Sequence, residues 1–330
     1  MTFRARLVRC SLLAAALAAG CATSSNRRVQ PSPASGTFGA TSVTLRGMGA
    51  DRISSAVRAP NGDVVLGVVA AGRGGSVVRV QKRKRVITFR TGDPVASVGI
   101  REDGRICWVP YVRPIVTCRR DDGAERAYPI PGSQPAPRLL RFGSRLYAVD
   151  VTHGRVFTIG SANIRYFASF TPEASVTPGS RELIVVAKTA RCSLRADSSA
   201  ACVPLRPPQD GPAHLAAAGG SVFVSDYPAA AMTIITPDGM TARRDVQSAP
   251  YNVTARDGTS VWVGMSDPAG YLVLYALSQR DLRRYDLPPK LQGYLVADAM
   301  LLPRAVGDDL VVVDNHQRLV TFLTMQTGSL

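Results

Sequence analysis

The residues able to do chemistry in this chain are few and poorly assembled for catalysis. There are three histidines, His153, His214 and His316, in 330 residues. No GxSxG, phosphate-binding loop, HExxH or dinucleotide fingerprint is present. Tandem carboxylates occur at Asp121-Asp122 and Asp308-Asp309. Neighbours along a strand point to opposite faces, and both pairs sit beside glycines, so they read as turns. Asp150, Asp226, Asp314 and, more loosely, Asp267 each end an apolar run. As metal ligands they would have to converge, yet one per repeating unit places them far apart. An aspartate at a strand end instead accepts hydrogen bonds from the turn's own N–H groups. His153 and His316 share those turns and that reading. No catalytic residue and no metal ligand is assigned, and no cofactor is expected. The alternative carries Ca²⁺ or Mg²⁺.

The chain opens with Arg4, Arg6 and Arg9 before the apolar run SLLAAALAAG, which stops at Cys21. A basic stretch, a short apolar stretch and small residues make a secretory signal over 1–20. The run is too short to span a bilayer. Ala18-Ala19-Gly20-Cys21 resembles the bacterial lipobox, with its leucine one place early at Leu17. That resemblance implies a lipid on Cys21. Ala22, which is not aspartate, implies release to the outer membrane. Residues 21–37 are Ser/Pro/Gly-rich without apolar period and read as a solvated tether, leaving 38–330 as one domain. With Cys10 removed and Cys21 lipidated, four thiols remain in an oxidising compartment. Cys107 with Cys118, and Cys192 with Cys202, are spaced for cross-strand disulfides. A zinc site would want CxxC spacing and nearby histidine.

What must position these residues is a repeat. Gly143–Ile159 reads turn, apolar run ending in Asp150, polar loop, second apolar run. It recurs at Gly220–Ile235 and Gly307–Phe322, and more loosely at Gly258–Leu274. Glycine-led turns at Gly62, Gly104, Gly143, Gly179, Gly220, Gly258 and Gly307 are 42, 39, 36, 41, 38 and 49 residues apart. Seven copies of that period, rich in Val, Ile, Thr and aromatics, predict an all-β, seven-bladed propeller of four-stranded antiparallel blades. The strand before each glycine is innermost. The next is most apolar, as a strand buried on both faces must be. The last copy has only three strands, and Thr41–Met48 is an unpaired β-run at the other end of the chain. Pairing the two closes the ring and removes an open sheet edge. Leu287–Met300 reads as an enlarged loop between the last two blades.

Ser248–Gly264, SAPYNVTARDGTSVWVG, resembles the repeat of NHL and streptogramin-lyase-like (YVTN-type) propellers. LYAVDVTHGRVFTI and LVVVDNHQRLVTFL resemble the NHL repeat as well. The resemblance spans about residues 48–325 and is clear in four copies. In the streptogramin lyases it implies histidine and acidic residues around magnesium on one face of the ring. No copy here shows the family's histidine-bearing turn, so none of those active residues is carried over.

Without residues 1–20 the chain keeps 37 Lys+Arg, the 40 less three arginines, against 24 Asp+Glu, a net +13. Such a charge suits an anionic partner: lipid headgroups or an acidic polymer. Only four of the cations are lysines, so part of the excess is compositional. Lys82-Arg83-Lys84-Arg85 is the one local cluster, a candidate anionic-surface contact that also reads as a solvated hairpin turn. No nucleic-acid motif accompanies the charge. Loops entering the inner strands should meet at one mouth of the central channel. Arg138, His214 and Asn252 stand at the starts of those strands in copies three, five and six and are the candidate ligand-binding residues there. The expected function is a non-catalytic, lipid-anchored module with a monomeric body, binding an envelope protein or anionic polymer. The alternative is a metal-dependent lactonase or lyase with its site in the channel.

Overall fold

In the computed structural model, residues 36–45, 51–72, 74–81, 85–132, 136–209, 214–246 and 248–326 are described. The expected signal segment 1–20, Cys21 and nearly all of the expected tether lie outside them. The described residues form seven four-stranded antiparallel sheets. Each blade lays its strands down in sequence from the centre outward, so the chain builds a seven-bladed β-propeller. The inner strands are Arg52–Arg58, Val95–Ile100, Arg138–Phe142, Ser175–Pro178, His214–Ala218, Pro250–Ala255 and Ala299–Leu302.

The predicted glycine turns join inner to second strands. Gly62, Gly104, Gly143, Gly220 and Gly307 have φ of 90°, 79°, 56°, 77° and 85°, a region closed to most L-residues. After each turn the second strand is nearly continuous apolar sequence, because both of its faces are covered. In blade three, Leu146 and Ala148 pack toward blade two, while Tyr147 and Val149 pack toward blade four. The buried side chains accordingly fall into seven apolar clusters, one at each interface between neighbouring blades. At about 25 cal/mol per Å² of apolar surface buried, this blade-against-blade packing is the dominant stabilising term.

Closure of the ring is as expected in kind and shifted in place. The N-terminal strand is Thr37–Thr44, not Thr41–Met48, and it runs antiparallel to Leu319–Gln326 as the outermost strand of blade seven. Phe38 explains the shift, since its ring is buried against Trp262 and Tyr285 at 5.7 and 5.8 Å. The loop before the last blade folds into two short 3₁₀ turns, Pro289–Leu291 and Val296–Asp298. They bury Leu291, Tyr294 and Val296 between blades six and seven. The tandem carboxylates do more than turn the chain. Asp308 holds Arg58 of blade one at 2.9 Å, and Asp121 holds Arg79 of blade one at 2.9 Å.

Candidate functional site

Antiparallel pairing decides what meets at each face of the ring. Arg138 is paired with Val149, and His214 with Ser225, so the start of an inner strand lies beside the end of the second strand. One face therefore gathers the beginnings of the inner strands and the turns that follow Asp150, Asp226, Asp267 and Asp314. The aspartates behave as turn anchors. Asp150 accepts from the His153 N–H at 3.1 Å, Asp226 from Ala229 at 3.2 Å, and Asp314 from Gln317 at 2.7 Å. Asp267 accepts from Ala269 and Tyr271 at 2.9 and 2.8 Å. The His153 ring is spent on its own turn, with Nδ1 2.9 Å from Asp150 Oδ2.

At the centre of this face Arg138, His214 and Asn252 come together. They line a cavity of about 210 Å³ with Ser175, Leu301 and Met300. Behind it lies the central channel, about 840 Å³, walled by the inner strands and bordered by Arg138 and Arg141. Neither lining contains an aspartate or glutamate. Desolvation, with the Arg138 charge second, pushes the His214 pKa below that of a free histidine, although the residue as a whole stays solvent-accessible at the mouth. The ring is therefore neutral at neutral pH, with one N–H to donate. Asn252 has a different duty. Its amide donates to the carbonyls of Ala299 at 2.6 Å and Val296 at 3.4 Å, bracing blade six against the loop of blade seven.

Inspection of single residues missed the apolar rim of the same face. Tyr111 and Val112 follow the second strand of blade two, Tyr227 that of blade five and Tyr271 that of blade six. Leu295 is bridged to Tyr271. All five are exposed, and they are the majority of the nine large exposed hydrophobics among the described residues. Tyr227 and Tyr251 lie with ring centroids 4.1 Å apart across blades five and six, and their hydrogen bond raises the Tyr251 pKa. The usable signal was positional: any aromatic just after the second strand of a blade must surface here.

Elsewhere, the four cysteines among the described residues pair as predicted. Cys107–Cys118 and Cys192–Cys202 are directly opposed across neighbouring strands, each with Cα atoms 4.0 Å apart. The first is buried between blades two and three. Lys82, Arg83 and Lys84 lie outside the described residues, as does the side chain of Arg85, which opens the outer strand of blade one. Among the described residues no three His, Cys, Asp or Glu side chains converge as a metal ligand set.

No family model and no curated protein matches the chain. Among solved structures it is similar to virginiamycin B lyase from Staphylococcus aureus, with a TM-score of 0.69 at 13% identity, over 88% of this chain and 100% of that one. A streptogramin B lyase superposes with a TM-score of 0.66 at 13% identity, over 88% and 98% of the two chains. BBS1N, in complex with ARL6DN, gives 0.63 at 10% identity, over 89% and 98%. At such identities the likeness shows the propeller fold and not the activity.

Proposed function

We propose that this protein is a non-catalytic, lipid-anchored propeller that binds a protein or anionic polymer in the bacterial cell envelope. The observation that carries the reading is the make-up of the channel and its mouth. Their walls hold arginine, histidine and hydroxyl groups but no carboxylate, a make-up suited to recognising a polar or anionic group. The tyrosine-rich rim around the mouth supplies the rigid amphipathic contacts typical of protein-binding surfaces. BBS1N offers a precedent for a similar propeller within a protein complex.

The address rests on the sequence alone. A lipid at Cys21 tethers the ring to a membrane, and Ala22 favours the outer one. The basic excess, including Lys82–Arg85, favours anionic headgroups or polymer. Labelled palmitate should reach the wild-type chain and not Cys21→Ser.

The rival reading, a lactonase- or lyase-type hydrolase using Ca²⁺ or Mg²⁺, would want carboxylate ligands, and the described channel lining includes none. Metal analysis of purified protein, with thermal unfolding with and without chelator, decides between them. The binding-module reading predicts no stoichiometric ion and an unchanged melting temperature. A stoichiometric Ca²⁺ or Mg²⁺ whose removal lowers the melting temperature overturns it. Crosslinking and pull-down of the lipidated protein then identify the partner.

A further inference from the structure

The geometry points to the channel as a binding site for a small anion, a carboxylate or phosphate, seated between Arg138 and His214 at the mouth and balanced deeper in by Arg141. This rests on the reading of the ring as a binding module and names the chemistry of its centre.

The argument is one of uncompensated charge. Four arginines line the channel. Arg58 is neutralised by Asp308 at 2.9 Å, and Arg304 lies 3.9 Å from Asp309. The side chains of Arg138 and Arg141 have no hydrogen-bond or ion-pair partner among the described residues. The chain possesses 24 Asp and Glu, yet none lines the mouth or the channel. Other arginines find carboxylates, as Arg79, Arg105 and Arg155 do, but no carboxylate borders the space that Arg138 and Arg141 share. Two guanidinium groups without carboxylate partners in one partly enclosed space repel each other, and an incoming anion relieves that cost. Arginine also offers a carboxylate or phosphate two parallel N–H donors.

The mouth, at about 210 Å³, admits one small anion and not a folded domain. His214 stands across it, and Arg138 is the one other charged group in its lining. Desolvation first, and the Arg138 charge second, keep His214 neutral. A bound anion reverses that, because it stabilises the imidazolium. Binding should therefore tighten as pH falls from 7.5 toward 5.5 and take up protons as it does.

The test is calorimetric titration of the purified full chain at low ionic strength with succinate and with inorganic phosphate, and with succinamide as the neutral control. The expected result is saturable binding of at least one anion and none of succinamide. The succinate and phosphate arms distinguish the two anion sources. Arg138→Gln should weaken binding roughly tenfold or more, whereas Arg138→Lys keeps most of it. His214→Gln should bind at pH 7.5 but lose the tightening at pH 5.5. If Arg138→Gln fails to fold, Arg141→Gln and the pH slope of His214→Gln carry the test. Binding of neither anion, or equal binding by wild type, Arg138→Gln and Arg141→Gln, overturns the inference. Partner capture by the tyrosine rim, followed with Tyr227→Ala and Tyr271→Ala, is a separate readout. If capture persists while the anions fail to bind, the channel inference falls and the binding-module reading stands.

Discussion

The turns after the second strands of blades three and seven are written almost alike, yet they are built for different ends. In blade three Asp150 is buried, and its carboxylate receives the His153 N–H at 3.1 Å, the His153 ring at 2.9 Å and Arg155 Nη2 at 2.9 Å. That turn is largely self-contained. In blade seven the cation stands one residue earlier, at Arg318, in the left-handed conformation with φ 58° that Gly154 occupies, at 62°, in blade three. Leu319 is what faces Asp314 across the strands. Asp314 Oδ1 caps Gln317, while buried Oδ2 meets no hydrogen-bond donor. Burial, with the Asp298 charge adding to it, raises its pKa. The turn's polar groups are turned instead to the seam. Asn315 Oδ1 accepts from Ile53 of blade one at 2.8 Å, and the Arg318 carbonyl accepts from Leu45 at 2.9 Å. The closing blade caps its turn without a cation on Asp314 and uses the turn's other polar groups to reach Ile53 of blade one and Leu45 beyond the closing strand.

The largest expected break in the comparison is Gly154→Ala. A Cβ there would be strained by the positive φ and would collide with the Phe170 carbonyl oxygen, whereas the equivalent place in blade seven carries a full arginine side chain. The loss should be on the order of 3 kcal/mol in urea unfolding. Next is Asp150→Ala, which removes a cap and leaves Arg155 and His153 without their anion, for about 2 kcal/mol. Asp314→Asn sharpens the contrast by going the other way. The carboxamide keeps the cap and removes a buried charge, so at pH 7 it should stabilise by up to about 1 kcal/mol. Because the folded pKa is raised, the wild-type folded state holds its proton more tightly than the unfolded chain. Wild-type stability from this group therefore falls as pH rises above the ordinary carboxylate value. The Asn advantage should shrink when unfolding is measured near pH 4. Smallest is Ala230→Gly, at the same turn position in blade five with φ 46°, expected to gain about 0.5 kcal/mol in melting experiments.

Much of this was readable before the structure, for physical reasons that differ by residue. The seven glycines mark the blades because the tight turn after an inner strand mostly demands positive φ. Asp150 and Asp314 were recognisable as turn anchors because capping is local. Whether a carboxylate also meets a cation was not, since a one-residue displacement from Arg155 to Arg318 changes the partner. The closing strand was misplaced by four residues because Gly39 and Ala40 look like tether until Phe38 is seen against Trp262. Arg138 and His214 were found through their places in the repeat. Asn252 was found the same way, but its bracing role depends on a 3₁₀ turn some forty-five residues later that has no motif of its own. Arg141 was missed because its significance lies in lacking a partner, and sequence does not show lacks.

The clasp of blade seven has a consequence in time. Thr37–Thr44 is among the first parts of the body to be synthesised, and its partner Leu319–Gln326 is among the last. Six blades can assemble as they emerge, but the circle cannot lock until translation is nearly finished. A ribosome that stops short of residue 319 leaves a broken horseshoe with sticky rims, a natural mark for quality control.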